Sequence, residues 1–219
     1  MSPDERSVDG YRVAYVDSVR HLVVAIYRDC IVPPRVLFVS STAVYDVDDG
    51  SWVDESTPAE PTAPTAVVLR EAEQTLLEQI PEATILRLGG IYGPGRTRQI
   101  DRIRDGFETI SSEPRFTNQI HRDDAAAAIV HLMTIQDRPK SVYIGVDDCP
   151  ADHREIVEFL AHTLDLPMPS VAANSGRPEA SWGKRCHNTR LRASGFVFSY
   201  PTYREGYASV LDGVGIHHA

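Results

Sequence analysis

Two adjacent hydroxyls, Ser40 and Ser41, follow the short apolar run Val36-Leu37-Phe38-Val39. In open α/β sheets ligands sit beyond the carboxyl ends of the strands, so serines placed there can hydrogen-bond a cofactor or a reacting oxygen. The same pair also suits a strand that ends in small polar side chains as it turns. A second candidate strand, Ala83 to Leu88, opens into Gly89-Gly90-Ile91-Tyr92-Gly93-Pro94-Gly95 and then Arg96. A guanidinium in that place is a candidate contact for an anion, a diphosphate among them. His121 stands just ahead of Asp123-Asp124 and a run of four alanines. Two acids before a helix serve first as an N-cap and as charges that suit the helix dipole. The histidine either holds the linker by a hydrogen bond or lines a substrate cleft.

These side chains need elements to position them. Residues 11–30 carry Tyr15, Val19, Leu22, Val23, Ile26 and Cys30 at steps of three and four, the spacing of a helix with one apolar face. Pro33-Pro34 ends it. The run 36–39 is apolar throughout, as a parallel strand buried on both faces is. Residues 46–64 are acidic and contain Pro58, Pro61 and Pro64, which predicts a loop. A helix is expected over 65–80, with Val68, Leu69, Ala72, Leu76 and Leu77 on one face, and a strand over 83–88. An arginine-rich helix at 98–109 and an extended stretch at 115–121 follow. Asp123 or Asp124 is the expected cap of a helix over 125–133. A strand at 141–145 and a helix near 153–164 come next, then two short helices near 188–194 and 203–211 around the candidate strand Phe196-Val197-Phe198. Alternating strands and helices imply crossover connections and a parallel sheet. There is no internal repeat.

The composition bounds the possibilities. A chain of 219 residues, 42% hydrophobic and 24% charged, has room for one well-buried domain with at most a small appended lobe. A net charge of −9 argues against a nucleic-acid partner. No apolar run approaches the roughly 20 residues that cross a bilayer, and the segment from Met1 to Arg6 has no signal-peptide core. A cytoplasmic protein with no membrane partner is expected. Cys30, Cys149 and Cys186 lack C-x-x-C spacing, which predicts reduced thiols and no metal site. His217-His218 read as a tail.

In order along the chain come Ser40-Ser41-Thr42-Ala43-Val44-Tyr45, then Arg87-Leu88-Gly89-Gly90-Ile91-Tyr92-Gly93-Pro94-Gly95-Arg96, then Ile120-His121-Arg122-Asp123-Asp124. Together they resemble the NAD-dependent epimerase/dehydratase family, the extended and atypical short-chain dehydrogenase/reductases, which commonly act on nucleotide sugars. Residues 183–196 and 200–207 resemble the C-terminal lobe of that group, so the resemblance covers about 11 to 212. It implies a Rossmann-like parallel sheet with flanking helices, NAD or NADP as cofactor, and a nucleotide-sugar-like ligand. Ser41 becomes the remnant of the catalytic hydroxyl that polarises substrate. Val39, Ser40, Leu88, Gly89, Gly90 and Ile91 fall along the cofactor, and Tyr92, Arg96 and His121 on the substrate side.

The sequence also departs from that family. Its Tyr-x-x-x-Lys pair, in which the lysine lowers the tyrosine's pKa for proton transfer, falls on Ala66 and Arg70. Arg70 can still hold a ribose or phosphate. Alanine moves no proton, and Thr65 is a weak catalytic stand-in whose ordinary role is helix N-terminal capping. Lys140 and Lys184 are preceded at the same spacing by Gln136 and Ala180, so the pair occurs nowhere. The Gly-x-x-Gly-x-x-Gly turn that brings backbone to a pyrophosphate is absent too, because Arg96 stands where a third glycine would fall after Gly90 and Gly93.

The expected fold is therefore α/β: a truncated Rossmann-like parallel sheet with flanking helices. Residues 1–150 form a partial core with a lobe insertion at 96–122, and 151–219 form the C-terminal substrate lobe and helical tail. The expected function is that of a family member whose own catalysis is weak or absent. The alternatives are a non-enzymatic binding or regulatory subunit, or the C-terminal half of a split or mis-started gene. The serine strand would then be a sheet edge, which predicts a homo-oligomer or a complementing N-terminal half.

Overall fold

A computed structural model describes residues 7–171 and 182–213. The Ser7 hydroxyl accepts from the Gly10 amide and starts α1 (Val8–Tyr11). The helix widens into a π-helical segment, Arg12–Asp17, and continues as α2 (Ser18–Arg28). Val16, Val19 and Val23 are buried along one face of this rod.

The central sheet has the order β1 (Leu37–Ser41), β3 (Thr84–Leu88), β7 (Val142–Gly145), with all pairings parallel. Strand β3 is buried at all five residues, because it has a neighbour on each side and helices over both faces. Its side chains alternate between those faces. Ile85 packs with Val16, Val19, Val68 and Leu76, which come from the first helical rod and from α3 (Pro64–Gln79). Leu86 and Leu88 pack on the other side with Ala128 and Leu132 of α5 (Arg122–Thr134). Among the described residues β1 pairs only with β3, so its outer edge is free.

Three two-stranded pairs extend the structure beyond the strand ends. They are β2 (Asp49–Val53) with β9 (Gly183–Cys186), β4 (Gly90–Tyr92) with β6 (Gln119–His121), and β5 (Phe116–Thr117) with β8 (Ala151–Asp152). Helices α4 (Arg98–Arg104), α6 (His153–Thr163) and α8 (Tyr203–Leu211) close around Ile100, Ile156, Leu160, Tyr203 and Tyr207 as a second core. Helix α7 (Thr189–Ala193) contributes Leu191 to the first. No helix among the described residues is long and apolar enough to cross a membrane.

Several local expectations need correction. The segment 46–64 is not all loop, since β2 lies within it and buries Val53. Helix α4 stops at Arg104, just before Gly106 turns the chain with φ +71°. Thr65 does not cap α3: Ala63 holds the N-cap position, and Pro64 supplies a fixed φ at a site needing no donor. His121, rather than either aspartate, caps α5, its Nδ1 accepting from the Asp123 amide at 3.2 Å. Asp124 is buried and accepts from the Ser199 and Tyr200 amides at 2.8 and 2.9 Å, tying the tail to the core. Residues 196–198 are not a strand. Phe196 and Phe198 both turn inward and meet edge to face, but among the described residues no strand pairs with their backbone. His217-His218 lie outside the described residues.

Candidate active site

The carboxyl ends of β1 and β3 open into a cavity of about 720 Å³. Val39, Ser40 and Ser41 form one wall, Leu88, Gly89, Ile91 and Arg96 a second, and Tyr15, Ser18, Val19 and Leu22 of the first helical rod face them. Gly89 is required here. A β-carbon at this position would lie 2.6 Å from the Asn118 carbonyl oxygen, so only glycine lets the chain leave β3 this close to β6.

The two serines have different surroundings. Ser41 Oγ accepts from the Ala43 amide at 3.1 Å and starts the 3-10 turn Thr42–Val44, which leaves its own proton to donate. Ser40 Oγ donates inward to Glu73 Oε1 at 2.5 Å. Glu73 is fully buried and also receives Arg87 Nε at 3.0 Å, Arg87 Nη2 at 2.6 Å and Arg70 Nη1 at 3.1 Å. Arg87 completes the network by donating to the Tyr45 hydroxyl at 2.8 Å.

Arg70 is thus committed to Glu73 and, through Nε, to the Ala59 carbonyl. Leu69, one residue earlier, is the α3 side chain on the cavity wall. Neither Arg70, Thr65 nor the buried Ala66 lines it.

A second cavity, of about 520 Å³, shares Ile91 and Arg96 with the first, so the two are arms of one cleft. This arm is cationic: Arg96, Arg98, Arg102 and Arg115 line it with Gly90, Tyr92, Gln119 and Tyr207. Arg102 Nε is paired with Glu108 at 2.8 Å. Arg96 and Arg98 make no ion pair among the described residues and are free to meet an anion. His153, 3.6 Å from Glu108, is held below its ordinary pKa by burial.

His121 does not reach either arm. It is 1% exposed, its ring lies 3.9 Å from that of Tyr200, and Tyr92 stands edge-on to it at 5.5 Å. Burial keeps its pKa down, so it is neutral near pH 7. The cleft therefore gathers Val39, Ser40, Ser41, Leu88, Gly89, Gly90, Ile91, Tyr92 and Arg96, and leaves out Thr65, Arg70 and His121. The sequence reading missed the wall from Tyr15 to Leu22 and the further arginines. For the arginines, the density of that residue between 96 and 104 was the available signal. Among the described residues no group of three or more His, Cys, Asp or Glu could hold a metal.

A parallel sheet covered by helices, with its cleft at the strand carboxyl ends, defines a Rossmann-like α/β protein. A protein of Methylobacillus flagellatus described as an NAD-dependent epimerase/dehydratase is 33% identical, with a TM-score of 0.79 over 94% of this chain and 72% of that one. The chain belongs to the NAD-dependent epimerase/dehydratase family.

More distant structures share the fold. A human epimerase family protein solved with NADPH is 17% identical, with a TM-score of 0.79 over 94% of this chain and 74% of that one. The UDP-glucuronic acid 4-epimerase of Bacillus cereus, solved with UDP-glucuronic acid and NAD, is 16% identical, with a TM-score of 0.74 over 89% of this chain and 65% of that one. No family model and no curated protein matches the sequence.

Proposed function

We propose that the chain forms the nicotinamide and substrate side of an NAD(P)-binding, nucleotide-sugar-type site, with catalysis of its own weak or absent. The observation that carries this is the two-armed cleft. One arm offers Ser41 and the β3 terminus, the other offers Arg96 and Arg98 to a diphosphate, and α3 presents Leu69 where an acid–base pair would have to stand. The first arm suits the nicotinamide ribose, through Val39, Ser41, Leu88, Gly89 and Ile91. The adenosine diphosphate end finds no Gly-x-x-Gly-x-x-Gly turn in the sequence to receive it. In this reading residues 1–150 are the cofactor-side core and 151–219 the substrate lobe and tail.

Calorimetric titration tests both arms. UDP-glucuronic acid is expected to bind, and Arg96→Ala with Arg98→Ala to weaken it by about tenfold or more, the loss of charge-assisted hydrogen bonds. NADH and NADPH are expected to bind the isolated chain poorly. Tight dinucleotide binding would refute the incomplete cofactor site, and failure of every nucleotide diphosphate to bind would refute the substrate arm.

The free edge of β1 favours a second reading, in which a complementing polypeptide or a second copy pairs with Leu37–Ser41. Val39, 39% exposed on that strand, leaves apolar surface beside the edge. Sedimentation of the purified chain is expected to give an oligomer or a partner complex. A monodisperse monomer that unfolds cooperatively would count against it.

A further inference from the structure

Helix α8 sits on a set of polar atoms that the fold leaves unpaired. The hydroxyls of Tyr92 and Tyr203, Gln119 Oε1, His121 Nε2 and Asp147 Oδ2 are sealed from solvent, and none finds a hydrogen-bond partner among the described residues. They come from β4, α8, β6 and the segment just after β7: Tyr92 stands edge-on to His121, Tyr92 and Tyr203 both lie within electrostatic reach of Asp147, and Tyr92 and Gln119 also belong to the wall of the arginine arm. Tyr92 and Tyr207, both on that wall, stack at 4.2 Å. Buried polar groups are nearly always paired with protein or with ordered water. A concentration of orphans at one place is a binding site for small polar molecules, and water needs two to four such partners.

The donors and acceptors are complementary. His121 Nδ1 accepts from the Asp123 amide, so the proton of the neutral ring is on Nε2, a donor. Both tyrosines can donate, and Gln119 Oε1 accepts. Asp147 is 1% exposed and fixed by its neighbours: its Oδ1 accepts from the Cys149 amide at 3.0 Å, and its own amide donates to the Gln119 carbonyl at 2.7 Å.

The groups facing Asp147 offer it no cation. Asp148 and Cys149 flank it, Tyr92 faces it from β4, Asp124 from α5, and Tyr203, Glu205 and Tyr207 from α8. Arg192 is paired with Asp148, and Arg204 lies over the rings of Tyr203 and Phe159. Burial above all, and then the charges of Asp148, Glu205 and Asp124, push the Asp147 carboxyl up to about 8 against the pull of the Cys149 amide.

We propose that Tyr92, Gln119, His121, Asp147 and Tyr203 enclose a chamber of ordered water beneath α8, and that Asp147 in its neutral form donates into it and keeps the helix seated. Ionisation places a buried negative charge with no cation beside it under α8 and unseats the helix. The linkage has a definite sign. The unfolded chain loses this proton near the ordinary carboxylate value of about 4, and the folded chain keeps it to about 8. Stability from this group is therefore complete below pH 4 and falls as pH rises to 8, with the unfolding equilibrium shifting about tenfold per pH unit.

Carboxyl-carbon NMR of the wild-type chain is expected to place the Asp147 midpoint near 8. A midpoint in the ordinary carboxylate range overturns the proposal. Urea unfolding from pH 5 to 8 is expected to show a slope in wild type that Asp147→Asn removes, and an unchanged slope in the variant overturns it. Water-to-hydroxyl cross-peaks at Tyr92 and Tyr203 are expected in wild type, and their absence overturns the hydrated chamber even if Asp147→Asn fails to fold.

Discussion

Replacing Glu73 by alanine is expected to destabilise the chain by about 3–5 kcal/mol, the usual result of stripping one partner from a buried ion pair. Glu73 is fully buried and takes donors from Arg87, Arg70 and Ser40. Without it the Arg87 guanidinium, on a β3 residue only 3% exposed, retains among the described residues only its bond to the Tyr45 hydroxyl. Urea denaturation of the single variant and of Glu73→Leu with Arg87→Met separates two explanations. An apolar pair of similar volume is expected to recover most of the loss, because the damage comes from an uncompensated charge and not from missing bulk. A double variant as unstable as Glu73→Ala would show that the network holds the fold by its geometry. The same substitution also releases Ser40 from its inward bond, so the cavity arm gains a second free hydroxyl.

Gly206→Ala is the second large effect, about 2–3 kcal/mol of destabilisation. Alanine is worth about 1 kcal/mol more than glycine in a helix interior, and Gly206 lies within α8, so a naive expectation has the opposite sign. The added methyl would overlap the Tyr92 hydroxyl and come within 2.6 and 2.9 Å of its ring carbons. Tyr92 is 4% exposed and stacked on Tyr207, so it has nowhere to go, and overpacking of that kind outweighs the propensity gain. Tyr92→Leu in the Gly206→Ala background is expected to restore part of the stability. If Gly206→Ala stabilises the chain in chemical denaturation, α8 is not held against β4 as described.

The strands and helices of the sheet were legible because their burial is written into local runs. Val36–Val39 is apolar without interruption, Ala83–Leu88 is apolar apart from Thr84 and Arg87, and residues 65–80 keep helical spacing. The wall of the cleft was less legible. Leu69 and Arg70 are neighbours in sequence, but about 100° of helical rotation separates them, and it is Leu69 that reaches the cavity. A motif position cannot show which neighbour faces the cleft. Asp124 read as a cap from its place before the alanines, yet its partners are amides at Ser199 and Tyr200, some 75 and 76 residues away in sequence. The chamber under α8 was invisible for the same reason, since its polar atoms come from separate parts of the chain and only folding brings them together.

The π-helical segment Arg12–Asp17 carries a further consequence. A π turn holds one residue more than the α geometry needs, so it can be regarded as a single-residue insertion absorbed without breaking the rod. Deleting one residue within it would restore regular pitch and leave the upstream residues in nearly the same phase, whereas deleting one from the regular turns of α2 would turn everything upstream by about 100°. In the second case Arg12 would leave its 2.8 Å pairing with Glu71, and Tyr11 would leave the mouth of the cleft. The cavity's outer wall can thus lose a residue at the π turn and keep its shape, which the regular turns beside it do not allow.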